Sequence, residues 1–196
     1  MYIGLPAQET ALANIILLHG ASSAGKSSIA KALQEIMDTP FFHLSSDQLV
    51  DAKILPRVDR SGADSAFSWR RIRPRFFDGF HRSVRGFADA GNDLIVDHII
   101  EMPSWLSDCA ELFSGHTVFY VGVHCDLDEL ERRERARGDR KVGEARSHIL
   151  EDKIHSFSAY DLEVDSGRLG AEACAAAIKE AYLKRGTDSV FAALRR

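Results

Sequence analysis

An α/β fold on a parallel sheet of five strands is what this sequence predicts, on three observations. Short apolar runs recur at 14–20, 41–46, 93–100, 117–125 and 160–165. Stretches of helical periodicity separate them. A glycine-rich corner, "HGASSAGKSS" at 19–28, follows directly on the first run. Strands alternating with helices form βαβ units around a parallel sheet. Right-handed crossovers then place helices on both faces, and ligands sit beyond the carboxyl ends of the strands.

Each element has its own justification. "NIILLHG" (14–20) is apolar throughout, as a strand covered on both faces must be. From Lys26 to Asp38 the period turns helical, with Ile29, Leu33, Ile36 and Met37 on one stripe. Pro40 punctuates, and "FFHLSS" (41–46) is a second strand. Residues 47–66, with Pro56 and Gly62, read as a loop and a short helix. In 75–91, Phe76, Phe77, Phe80, Val84 and Phe87 recur at helical spacing and Gly91 supplies the stop. "DLIVDHII" (93–100) is a third strand, and Pro103 opens a helix over 103–114. "TVFYVGVHC" (117–125) is a fourth strand, followed by two charged helices through "DLDELERRERARGDR" and "GEARSHILEDKIH". "YDLEVD" (160–165) is the last strand, and 170–186 the last helix. Residues 1–13 read as a loose lead-in, and the last ten carry no assignable pattern.

The 196 residues suit one domain with a full core. A composition of 45% hydrophobic and 28% charged residues with net charge −4 is that of a globular protein, not of one with a broad basic footprint for nucleic acid. No apolar run approaches the roughly 18 residues that span a bilayer, and the N-terminus lacks a secretory pattern. Cys109, Cys125 and Cys174 are odd in number and far apart, so they read as reduced thiols. The expectation is a single cytoplasmic domain over 1–196 with neither nucleic-acid nor membrane partner.

The strand ends carry the chemistry. From Gly20 to Ser27 the spacing is G-x-x-x-x-G-K-S, a P-loop, in which backbone N–H groups cradle phosphates at a helix N-terminus. Gly20, Ala21, Ser22, Ser23, Ala24, Gly25, Lys26, Ser27 and Ser28 form this cradle, with Lys26 for the β- and γ-phosphates and Ser27 for Mg²⁺. ATP and Mg²⁺ are therefore the expected cofactors. After the second strand stands Asp47, beside the phosphate loop if that strand neighbours the first. A hydroxyl kinase needs such a carboxylate to accept the proton, yet Ser-Ser-Asp ahead of a helix is also good N-cap material. After "LIV" in the third strand stands Asp97, the place of a Walker-B-type metal carboxylate. His98 beside it points to the other face and reads as packing or substrate contact. Beyond the fourth strand, Arg132, Arg133, Arg135, Arg137, Arg140 and Lys141 crowd together. They read either as a solvated helix face paired with Asp and Glu or as a hinged lid over about 132–145. In the second reading Arg133, Arg137 and Arg140 are the candidates to neutralise phosphoryl charge.

Three stretches together, "LHGASSAGKSS" (18–28), "VGVHCDLDELERRERARGDRKVGEA" (121–145) and "YDLEVDS" (160–166), resemble the chloramphenicol phosphotransferase-like P-loop kinases. The resemblance implies a nucleotide-kinase-like fold, five parallel strands with flanking helices and an arginine-rich lid. It implies transfer of the ATP γ-phosphoryl group to a hydroxyl of a small molecule, with Asp47 as base, Lys26 and Ser27 as phosphate and metal ligands, and "RGDR" (137–140) as the lid. His98 stands where that family carries a second acid. About 47–92 is the expected acceptor-binding region.

The first reading is thus a small-molecule kinase for a chloramphenicol-like antibiotic or related compound, with a link to antibiotic resistance. Phe67, Trp69 and Phe76 are the aromatic residues that would line a pocket for such an acceptor. A kinase of a nucleoside, sugar acid or other metabolite is the alternative within enzymes. A nucleotide-dependent switch, which needs no acceptor carboxylate, is the alternative outside them.

Overall fold

The computed structural model describes residues 12–62, 64–137, 143–157, 159–187 and 189–195. β1 (Asn14–His19) is buried along almost its whole length. Its side chains alternate: Ile15 and Leu17 enter one core, Ile16 and Leu18 the other. That is the period of two expected of a strand with helices on both faces. α1 (Lys26–Ile36), β2 (Phe41–Ser45), α2 (Ser46–Asp51), α3 (Trp69–Asp89) and β3 (Asp93–His98) follow. Then come α4 (Pro103–Leu112), β4 (Thr117–His124), α5 (Leu127–Arg137) and α6 (Glu144–Arg146), which continues as a π-helical turn over Ser147–Glu151. β5 (Leu162–Asp165), α7 (Ser166–Leu169), α8 (Ala171–Lys184) and α9 (Val190–Ala193) close the chain.

The five strands form one parallel sheet in the order β2-β3-β1-β4-β5. β2 therefore neighbours β3 and not β1. Burial explains the order. β3 hides Leu94, Ile95 and Val96 completely and takes an interior place. β2 leaves Phe42 48% exposed and suits an edge. On one face, α1 and α8 bury Ile29, Leu33, Cys174 and Ile178 against the sheet. On the other, α3, α4 and α9 bury Phe80, Val84, Leu106, Phe113 and Phe191. Cys109 and Cys174 are buried, Cys125 is partly so, and none is disulfide-bonded. No described helix is long and apolar enough to cross a membrane.

Three elements differ from the periodicity reading. α3 begins at Trp69 and not after Pro74, which lies inside it. The proline removes one helical donor near the N-terminus without ending the helix. The helix expected through 155 stops at Glu151 after the π turn. The C-terminal decad, unassigned from sequence, carries α9, whose Phe191 is wholly buried against Phe113 and Tyr120.

Two buried polar groups hold the carboxyl-end surface together. Glu134 on α5 is inaccessible, and its carboxylate accepts the N–H groups of Gly143 (2.9 Å) and Ala145 (2.7 Å) at the start of α6. It satisfies helix-terminal donors that would otherwise be orphaned. His19, at the end of β1, sits between Ile100 N–H, 3.0 Å from its Nδ1, and Ile154 O, 3.1 Å from its Nε2. The ring is neutral, donating at Nε2 and accepting at Nδ1. Burial above all, with His155 nearby, pushes its pKa down to about 3.

Two expectations follow from these groups. Glu134→Ala orphans two N–H groups and should lower stability by about 2–4 kcal/mol in chemical denaturation; a change under about 0.5 kcal/mol would show that water replaces the carboxylate. For His19, the native pKa lies below the unfolded value of 6.5. Its contribution is complete above pH 6.5 and lost as pH falls toward about 3, because only the unfolded ring takes up the proton. At pH 5 the loss is about 2 kcal/mol. His19→Gln should have lower stability at pH 7 but a flatter decline to pH 5, read from denaturation midpoints; an equally steep decline would remove His19 as the cause.

Candidate active site

The phosphate loop is shaped by its neighbours. At Gly20 a Cβ atom would lie 2.3 Å from the Val123 carbonyl oxygen, so the neighbouring β4 backbone itself demands glycine. Gly25 caps α1 with φ 86°, and Ser23 also holds a positive φ of 62°. The loop closes on a turn from Ala24 N–H to Ala21 O (3.2 Å). Ala21 and Ala24 pack into the core behind it. Ser22 is buried; its N–H meets Nδ1 of His148 at 3.3 Å and its hydroxyl reaches Glu144 at 3.4 Å. Ser23, Gly25, Lys26, Ser27 and Ser28 face a cavity of about 650 Å³.

Asp97 is the hub of this cavity. Its Oδ2 accepts from Ser27 Oγ at 2.5 Å, and its Oδ1 lies 3.9 Å from Lys26 Nζ. Lys26 also donates to Ala21 O (2.8 Å), so its ammonium folds back over the loop. His43 of β2 brings Nε2 to 3.8 Å from Asp97 Oδ2. Burial alone would raise the Asp97 pKa, but His43, Lys26 and Ser27 together outweigh it and hold the carboxyl below its ordinary value. A hydroxyl and an ionised carboxylate meet here beside the phosphate cradle. Hard oxygen donors of this kind fit a magnesium ion that also binds substrate phosphates.

Asp47 lines the same cavity from the first turn of α2, although β3 intervenes between β2 and β1. The cap of α2 is Ser45, whose Oγ accepts from Asp47 N–H at 3.1 Å while Gln48 Oε1 accepts from Ser45 N–H at 3.0 Å. N-capping thus falls to Ser45 and Gln48. Arg133 reaches the loop from α5. Its guanidinium is aimed by Glu129 (2.7 Å) and by Ser166 Oγ and O (both 3.1 Å), and it approaches Ser23 O at 3.4 Å. Arg132 lines the cavity too, gripped by Glu129 at 2.6 and 2.7 Å. Arg137 ends α5; its side chain and the whole of Arg140 lie outside the described residues.

His98 lies on the opposite face of β3 from Asp97, among Phe77, Phe80, His81 and Trp105. Its Nε2 is 2.9 Å from His81 Nε2. Burial drives both rings toward the neutral form, His81 to about 4 and His98 well below its usual value. The aromatic residue at the cavity is Phe77. Phe67 and Phe76 instead line a separate hollow of about 370 Å³ with Ile54, Pro56 and Ile72, and Trp69 packs on Phe76 and Arg60. Helical spacing groups Phe76 and Phe77 together, but only the packing of α3 on β3 selects between them. His43, Glu101, Glu144 and His148 escaped the sequence reading. His43 had a signal, its alternation along β2, and Glu101 follows a strand end; Glu144 and His148 arrive through tertiary contacts alone.

Comparison with known proteins bears on the family and the fold. A Mycobacterium tuberculosis protein whose name provisionally assigns it O-phosphotransferase activity is 31% identical over 199 residues, covering 93% of this chain and 88% of the relative. Among solved structures, the APS kinase CysC of Mycobacterium tuberculosis, in complex with AMPPNP and APS, has a TM-score of 0.63 at 19% identity, covering 88% of this chain and 99% of its own. The Deinococcus radiodurans tunicamycin resistance protein has a TM-score of 0.58 at 18% identity, covering 86% and 94%. These two structures share the fold of a parallel sheet wrapped by helices. Residues 13–183 match the chloramphenicol phosphotransferase-like protein family, and with a P-loop, a carboxylate at the end of β3 and a five-stranded parallel sheet, the chain belongs to that family of P-loop kinases.

Proposed function

We propose that this protein transfers the γ-phosphoryl group of ATP to a hydroxyl of a small metabolite. The observation that carries the reading is the shared cavity. Asp47 borders the same space of about 650 Å³ as Lys26, Ser27 and Asp97. In this reading Asp47 accepts the proton of the acceptor hydroxyl. The freed oxygen attacks the γ-phosphorus, the bond to the β-phosphate oxygen breaks, and ADP leaves. Lys26 and Arg133 neutralise phosphate charge, and Arg137 and Arg140 do the same from the lid segment. Ser27 and Asp97 would hold Mg²⁺, which when bound screens the phosphates and fixes their orientation.

A metabolite is better supported than a chloramphenicol-like drug. The aromatic set expected for a drug-like acceptor is not at the cavity, and a similar fold serves a kinase solved with APS. A switch would need neither the carboxylate at Asp47 nor the acceptor space. An ATP-consuming reaction and three unbonded thiols suit the cytoplasm.

Asp47→Asn should reduce phosphoryl transfer by about 10²–10⁴-fold while leaving ATP affinity within about twofold, read by ADP release and fluorescent-nucleotide titration. Lys26→Ala should weaken both nucleotide affinity and turnover. Transfer by Asp47→Asn at near the parental rate would refute its role as base.

A further inference from the structure

β2 brings a histidine to the carboxylate of β3. In the parallel pairing of these strands His43 stands opposite Ile95, and Ser45 opposite Asp97. Paired and alternate residues share one face of a sheet, so all four point to the face that α1 covers. The His43 side chain is only 6% exposed. Its Nε2 lies 3.8 Å from Asp97 Oδ2 and has no hydrogen-bond partner among the described residues. That distance is longer than a hydrogen bond, and a buried ring nitrogen left unpaired is costly.

The cap of α2 decides where the proton of this ring sits. Ser45 N–H donates to Gln48 Oε1 at 3.0 Å, so the amide nitrogen of Gln48 is the end that faces the histidine. That nitrogen can only donate, and it lies 3.3 Å from His43 Nδ1. Nδ1 therefore accepts, and a neutral ring then carries its proton on Nε2, the nitrogen turned toward Asp97. Asp97 Oδ2 already accepts from Ser27, but a carboxylate oxygen has lone pairs for a second donor. Matched donors and acceptors thus run from Ser45 through Gln48 and His43 to Asp97, open only at the last step.

Taking the phosphotransferase reading as its basis, we infer that His43 is a positioning residue of the reaction: in the complex with nucleotide and Mg²⁺, its Nε2–H donates to Asp97 Oδ2 and fixes that carboxylate for the metal. Hydrogen bonds of an active site are often long without ligand and shorten in the complex. The same ring is tied through Gln48 to the capped turn that carries Asp47, so one side chain references the metal carboxylate to the proposed base. A histidine that only filled space at this sheet edge would need neither this tautomer nor a nitrogen turned toward Asp97.

Mn²⁺ tests this in place of Mg²⁺, because both are hard cations for oxygen ligands and Mn²⁺ gives a spin-resonance signal. It is titrated into the protein with a non-hydrolysable ATP analogue. His43→Gln puts an amide nitrogen near the place of Nε2, whereas His43→Asn puts its amide near the place of Nδ1. Mn²⁺ binding should weaken about tenfold or more in His43→Asn and His43→Ala, yet stay within about threefold in His43→Gln. In an Asp97→Asn background, His43→Ala should cause no further loss. Affinity for the analogue in EDTA should be unchanged by all three His43 variants, and nitrogen NMR of the parental ring should find the proton on Nε2. Mn²⁺ affinity of His43→Ala within about twofold of the parental value overturns the inference. So does an equal loss in the Gln and Asn variants, a loss that persists undiminished with Asp97→Asn, or a proton on Nδ1. A parallel loss of analogue affinity in EDTA shows a packing role and overturns it too. Failure of the parental protein to bind the analogue at all would instead overturn the phosphotransferase reading.

Discussion

The position of β3 between β1 and β2 is the constraint on which the rest of the site depends. It carries Asp97 to a point where Ser27 and Lys26 approach from the phosphate loop and His43 from the other neighbouring strand. In a parallel sheet all strand ends of one polarity share an edge. The loop after β1, the carboxylate on β3 and the helix after β2 thereby open onto one cavity, although they are far apart in the chain. The apolar run Leu94–Ile95–Val96 of β3 secures this arrangement, because an edge position would expose it.

Around that cavity, histidines serve as polar fasteners. His19 joins the end of β1 to Ile100 and Ile154, and His148 joins the π turn to Ser22 of the phosphate loop. Each does so as a neutral ring, because burial opposes the charged form. Imidazole suits the task by donating with one nitrogen and accepting with the other where the chain leaves the sheet. The dependence on neutrality ties stability to the pH range in which histidine titrates. Glu134 does related work with charge, anchoring α6 to α5 through two backbone donors.

Much of this was legible in the residues. The apolar runs located all five strands, and the P-loop spacing located the cradle, because both patterns are local and set by backbone geometry. The strand-end rule singled out Asp47 and Asp97, and both line the cavity. It would also have found Glu101, had it been extended four residues beyond Asp97. The capping role considered for Asp47 belongs to Ser45, a distinction that depends on which oxygen meets which N–H. The aromatic residues were misplaced for a similar reason. Phe67, Trp69, Phe76 and Phe77 look alike in a pattern, and the rotation of α3 against β3 determines that Phe77 faces the cavity.

The chain alone thus determined its alternating architecture, its phosphate cradle and the identity of its carboxylates at the strand ends, since these follow from hydrophobic period, glycine geometry and motif spacing. Strand order, the pairing of Asp97 with Ser27 and His43, the grip of Ser166 on Arg133, and the meeting of Glu101 with His148 and Asp152 were decided only in three dimensions. The reason is physical: each of these joins residues from different crossovers, and it is burial of both faces of one sheet that fixes which crossover lies beside which.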